Sequence, residues 1–164
     1  MIIKKKINKE EHNIEFVNTK KIKSYLSKNI NNKDILIIDK NLIKNININK
    51  IYKNFSKRCF LVNGNEKIKS LKIFSLLIEK ILRIGIQRDS KLISIGGGTV
   101  GDLSGYIASS LLRGIDHIMV PTSLLAMVDS SIGGKTGINS NYGKNLIGSF
   151  YLPKKVLICP DFLK

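Results

Sequence analysis

Tryptophan is absent from the 164 residues, proline occurs three times, and cysteine and histidine twice each. Cys59 and Cys159 have no CxxC spacing. They form neither a disulfide framework nor a zinc knuckle, so a reducing cytoplasm is the expected compartment. His12 sits in a Lys/Glu-rich stretch, and His117 opens an apolar segment that reads as a buried strand. No HxxxH or HxxE pattern and no carboxylate cluster completes a metal-ligand set, so no metal site is expected here. No apolar run reaches the length of a membrane span. The opening MIIKKKINKEEHN lacks an apolar signal core and a cleavage site, which argues against secretion. Disorder is also excluded, because 43% of the residues are hydrophobic.

Acidic residues are scarce, 12 against 28 Lys and Arg, for a net charge of +16. That imbalance normally suggests a polyanionic partner. It is uneven, however: residues 1–91 hold 22 basic and 8 acidic side chains, residues 92–164 only 6 and 4. The chain is also rich in Lys, Asn and Ile, whose codons are A/T-rich, so genome composition is the expected source of the excess, ahead of a polyanionic partner. Aromatics are not interleaved with the basic residues and no recognition-helix pattern occurs, so nucleic acid is not an expected partner.

The hydrophobic pattern predicts alternating strands and helices. Short strands are expected over 13–17, 34–39, 58–63, 91–95, 117–120 and 155–159. Helices are expected over 41–55, 67–84 (Leu71, Phe74, Ile78 and Ile81 on one face) and 98–112, with a short one after Pro121 to about Val128. Gly85 suits a helix stop. The first dozen residues read as frayed or as an edge strand. Residues 129–150, rich in Gly, Ser and Asn, read as functional loops. The class is therefore α/β with a Rossmann-like parallel sheet, in one domain over residues 1–164.

Gly96-Gly97-Gly98-Thr99-Val100-Gly101-Asp102 joins an expected strand to an expected helix. Glycines there let the backbone approach a ligand, and the helix's free N–H groups attract phosphate. A plain strand-to-helix turn also favours glycine, so the GxGxxG spacing alone is weak. Gly134-Lys135-Thr136 is not a P-loop, because the first glycine such a loop needs is replaced by Asp129. Asp129, Lys135, Lys144 and Asn145 lie among glycines in a nearly neutral half. The two lysines can approach an anion closely. Arg113 either compensates a helix end or captures an anion.

GGGTVGDLSGYIASSLLRG, VPTSLLAMVDSSIGGKTGIN and YGKNLIGSFYLP together resemble the 3-dehydroquinate synthase family. The resemblance extends over most of the chain from Asp34 onward. It implies conversion of 3-deoxy-arabino-heptulosonate 7-phosphate to 3-dehydroquinate and phosphate in the shikimate pathway of aromatic amino acid and chorismate biosynthesis. It also implies bound NAD that is reduced and reoxidised in each turnover, and a divalent metal, zinc or cobalt. By the same resemblance Asp39, Asn41, Glu66, Lys69, Gly97, Gly98, Thr99, Val100, Gly101, Asp102, Thr122 and Ser123 contact the cofactor. Asp129, Lys135, Lys144 and Asn145 form the substrate group, with both lysines near the cofactor as well. Arg113 resembles a residue that reaches the substrate phosphate in a neighbouring subunit, which implies a homodimer. Gly64-Asn65 stands where the family usually has Asp-Gly, so a side-chain carboxylate contact is lost there.

Family chains are about twice as long, with a second, all-helical domain that carries the metal ligands. This chain is expected to correspond to the amino-terminal half and to end near that domain boundary, so that catalysis would need a helical half, which a separate gene could encode. Other readings of the same scaffold are a related sugar-phosphate cyclase, a metal-dependent alcohol dehydrogenase-like domain, and a non-enzymatic nucleotide-binding remnant.

Overall fold

The computed structural model describes residues 2–7 and 10–163. Strands β1 (Ile2–Ile7), β2 (Glu10–Phe16), β3 (Ile35–Asp39), β4 (Cys59–Val62), β5 (Lys91–Gly96), β6 (Asp116–Pro121) and β9 (Lys155–Ile158) form one sheet. Their order is β1-β2-β9-β6-β5-β3-β4. Only β1 and β2 pair antiparallel; the other neighbours are parallel, as the alternating pattern predicts. Helices α1 (Thr19–Asn29) and α2 (Ile46–Asn54) cover one face. Helices α3 (Leu71–Arg83) and α4 (Gly98–Ser110) cover the other.

A strand covered on both faces must be apolar at every position. Ile35, Leu36, Ile37 and Ile38 meet this with no exposure at all. Alternation then divides them between two cores. Leu36 and Ile38 pack with α1 and α2, while Ile35 and Ile37 pack with α3 and α4.

The expected helix over 41–55 is two pieces. A 3₁₀ turn, Lys40–Lys44, is followed by α2, and Asn45 between them is extended. Its side chain accepts hydrogen bonds from the Asn47 and Ile48 N–H groups. Asparagine offers the backbone this alternative to helix, and here it starts a new one. The helix expected over 67–84 begins only at Leu71. Asn65 caps a 3₁₀ turn at Glu66–Ile68, and Ser70 caps α3 by accepting from the Ile73 N–H. Gly85 does end it, at φ +79°.

The largest departure concerns residues 129–150, which are not loops. The helical segment after Pro121 continues through a π-helical turn, Ala126–Ser130, and one more turn, Ser131–Gly133. Gly134, at φ +66°, stops it. Strands β7 (Lys135–Ser140) and β8 (Gly143–Phe150) then form a separate antiparallel hairpin against α4. Gly137 and Gly148 face each other in it. A Cβ on Gly148 would lie 2.1 Å from the Thr136 carbonyl oxygen, and one on Gly137 2.6 Å from that of Ile147. What looks like loop composition is thus the condition for two strands to approach so closely. Ile138, fully buried, fastens the hairpin to the core between α3 and α4.

His117 lies under α4, 2% exposed, with Nε2 2.8 Å from the Ser94 hydroxyl on the neighbouring strand. Burial pushes its pKa down to about 4. The unfolded chain therefore takes up this proton first as pH falls. The stability involved is complete above about pH 6.5, is lost between there and about 4, and changes no further below. At pH 5 the loss is about 2 kcal/mol at about 1.4 kcal/mol per pK unit. Urea unfolding at pH 7.5 and pH 5 should show it in the native chain. His117→Asn should remove that part of the pH dependence.

Candidate active site at the carboxyl edge of the sheet

Every parallel strand ends toward the same edge, and the glycine turn lies on it. β5 ends at Gly96, extended Gly97 precedes α4, and no side chain caps the helix. Its first-turn N–H groups therefore need other partners. A Cβ on Gly101 would lie 2.2 Å from Met119 Cε, so this glycine lets α4 lie close against β6. A Cβ on Gly98 would lie 3.1 Å from the Ser130 hydroxyl, which is buried without a hydrogen-bond partner among the described residues. Val100 is buried within the core, and Thr99 lies half-buried beside it. From the end of β6, the Thr122 N–H donates to the Gly96 carbonyl (2.9 Å), and the Ser123 hydroxyl accepts from the Ala126 N–H. The turn is thus a glycine cradle with an unsatisfied hydroxyl beside it.

The end of β3 reaches the same edge. Asp39 Oδ1 accepts from the Asn41 N–H at 3.0 Å. Gly64, after β4, packs so tightly on this carboxylate that a Cβ would lie 1.9 Å from Oδ2. The glycine that departs from the family pattern therefore makes room for Asp39.

Between these loops lies a buried cation. The Lys69 side chain is only 4% exposed. Its ammonium donates to Asp102 Oδ2 at 2.8 Å and to Asn145 Oδ1, with Glu66 Oε1 3.9 Å away. Burial raises the Asp102 pKa, with Lys69 opposing that shift and the negative charges of Glu66 and Asp129 adding to it. Three segments distant in sequence meet here: the 3₁₀ turn after β4, the first turns of α4 and the hairpin tip.

The other expected site residues are less tightly held. Asp129 and Lys144 are exposed, Asp129 near enough to bear on Asp102 electrostatically. Lys135 is exposed at the base of the hairpin, paired in register with Phe150 rather than at the tip with Asn145. Arg113 lies at the opposite, amino edge of the sheet. There it lines a cavity of about 960 Å³ with Arg88, Asp116 and Lys154. The topology keeps Arg113 out of the carboxyl-edge cluster of its own chain. Asn139 was missed by the sequence reading. Its side chain donates to Glu66 and accepts from the Asn145 N–H, and only the hairpin register could have pointed to it.

The fold and this edge define a Rossmann-like α/β domain with a polar cluster beside an open helix N-terminus. The model for the 3-dehydroquinate synthase N-terminal region matches residues 59–164, and the chain belongs to that family. The 3-dehydroquinate synthase of Pyrococcus furiosus is 53% identical over 112 residues, 68% of this chain and 33% of that protein. That of Pelagibacter ubique is 42% identical over 171 aligned positions, 99% of this chain and 46% of that protein. Among solved structures, 2-deoxy-scyllo-inosose synthase complexed with carbaglucose-6-phosphate, NAD+ and Co2+ superposes with a TM-score of 0.83. It is 27% identical, over 99% of this chain and 46% of that one. The chain spans about a third to a half of the length of the relatives it matches. Among the described residues, no group of three His, Cys, Asp or Glu could hold a metal ion, and no helix is long and apolar enough to cross a membrane.

Removing the Lys69 ammonium leaves the Asp102 carboxylate half-buried without its cation. Lys69→Met should destabilise the chain by about 3 kcal/mol, the low end for a broken buried pair, because Asp102 keeps 23% exposure. Adding Asp102→Asn should recover part of the loss. A double-mutant cycle by urea unfolding measures this coupling.

Proposed function

We propose that this chain is the NAD- and substrate-binding half of a 3-dehydroquinate synthase, a carbon–oxygen lyase acting on 3-deoxy-arabino-heptulosonate 7-phosphate. The observation that carries the reading is the glycine cradle at the carboxyl edge, with Lys69, Asp102 and Asn145 held beside it. Identities of 42–53% to dehydroquinate synthases, against 27% to the inosose synthase, favour this substrate over that of another sugar-phosphate cyclase.

The cradle fits NAD. A side chain at Gly98 would crowd the Ser130 hydroxyl, which has no hydrogen-bond partner among the described residues. Bound NAD would supply a hydride acceptor that becomes the donor later in the cycle. Gly97, Gly98, Thr99, Val100, Gly101 and Asp102 would hold the pyrophosphate and nicotinamide side, using the uncapped N–H groups of α4. Asp39 and Asn41 would hold the ribose, and Glu66, Lys69, Thr122 and Ser123 would close the edge around it. Asp129, Lys135, Lys144 and Asn145 would bind the substrate, the lysines meeting its phosphate or carboxylate. Arg113, at the far edge, would serve the site of a second copy in a homodimer, capturing the phosphate there.

The described residues do not fit a catalytic divalent metal, so no step through one is assigned to them. The proposed zinc or cobalt site would belong to the helical half that the family resemblance implies. Turnover is expected only when that half is present. A cytoplasmic location accords with the free thiols of Cys59 and Cys159.

Two measurements test this. Calorimetric titration of the 164-residue chain should show NAD binding. Gly98→Val should abolish it while leaving the circular dichroism unchanged, and unaltered affinity in the folded variant would exclude the turn. In an assembly containing the helical half, Lys135→Ala should lower kcat/KM for the heptulosonate phosphate by about 10- to 100-fold, the worth of a hydrogen bond to a charged group. Kinetics equal to the parent's would refute that role.

A further inference from the structure

We infer that Asn139 is a positioning residue. With Lys69 it clamps Asn145 so that only the donor end of the Asn145 amide is free for a ligand. The inference deepens the proposed function, since it concerns how that site reads an anionic oxygen.

The Asn145 backbone is in the left-handed region, at φ 57°, and is one of only three such non-glycine residues among those described. Asparagine tolerates this conformation better than most residues, yet something must hold it there. Asn139 Oδ1 does so, accepting the Asn145 N–H at 2.9 Å. The other end of the Asn139 amide donates to Glu66 Oε1 at 2.8 Å. A backbone N–H can only donate and a carboxylate can only accept, so the two partners fix the orientation of this amide uniquely. The Asn139 backbone is anchored as well: its N–H donates to the Lys69 carbonyl at 2.9 Å, and it bridges to Ser70.

Lys69 fixes the side chain that Asn139 has positioned. An ammonium has only donors, so it selects Asn145 Oδ1 and leaves the Nδ2 hydrogens turned away from it. Its other neighbours, Asp102 and Glu66, are both acceptors. At 4% exposure Lys69 has little surface left for a ligand, so it acts through Asn145. The exposed Asn145 therefore presents its N–H groups, while its oxygen is directed at Lys69. This selects phosphate or carboxylate oxygen and disfavours a donor group at the same place.

The test uses nitrogen-15 NMR on the 164-residue chain, with inorganic phosphate and NAD as separate probes. Asn139→Ala should lower the hydrogen-exchange protection factor of the Asn145 backbone amide at least tenfold and shift its side-chain NH2 signals. Phosphate-induced shifts at those signals should weaken about tenfold, while NAD affinity changes less than threefold. Asn139→Asp loses the donor to Glu66 but keeps an oxygen that accepts the Asn145 N–H, so it should retain the protection that Asn139→Ala loses. An unchanged Asn145 amide in Asn139→Ala, or a loss in Asn139→Asp as large as the alanine variant's, would overturn the clamp. Equal losses for phosphate and NAD would reduce Asn139 to general support and also overturn it. If the parent chain failed to bind NAD, the proposed function would fall. The protection factors would still decide the clamp.

Discussion

A lysine ammonium can be buried only where carboxylates and carbonyls meet it from several sides. Lys69 imposes that condition on three segments at once. The turn after β4 brings the lysine and Glu66, α4 brings Asp102, and the hairpin brings Asn145. None of these segments is adjacent in sequence, and the ion pair joins their polar ends above the core in which Ile68, Val100 and Ile138 are packed. Asp102 stands on the first turns of α4, so the cation also ties the cluster to the glycine turn that opens that helix. The site is thus an extension of one buried charge, with the cradle on one side and the hairpin tip on the other.

The hairpin is the means by which the chain brings its most polar stretch against a helix without leaving peptide groups unpaired. Its strands pair with each other, the Asn139 N–H pairs outward with the Lys69 carbonyl, and Ile138 gives it an apolar foot in the core. Gly137 and Gly148 remove the side chains that would hold its strands apart, while Thr136 and Ser149 form hydrogen bonds across it. The result is a firm platform with a polar tip, as a site residue in a left-handed conformation requires.

Much of the fold could be read from the residues, because fully buried parallel strands announce themselves as apolar runs. Ile35–Asp39, Lys91–Gly96 and Lys155–Ile158 fall where the pattern puts them. Helix starts were less legible, since Asn45 and Ser70 act through hydrogen bonds that periodicity does not register. The hairpin was invisible because its glycines serve a close approach that exists only once the strands are paired. At the site, the glycine turn was evident from its strand–helix context. The burial of Lys69 was not, because composition places a lysine in water unless acceptors from elsewhere in the chain converge on it. Asn139 looked like one more asparagine in a chain full of them.

The sheet also works as a partition between charges. The cluster, α4 and the hairpin lie on one face or at its edge, whereas α1 and α2 lie across the strands on the other. Those two helices contain no acidic residue, and Lys20, Lys21, Lys28, Lys50 and Lys53 on them are exposed. Charges on that layer stand across the whole sheet from Asp102, where salt screens them. The groups that bear on the Asp102 carboxyl are Lys69, Glu66 and Asp129, all at the carboxyl edge. The electrostatics of the cluster are thus set by a few close neighbours and not by the net charge of the chain.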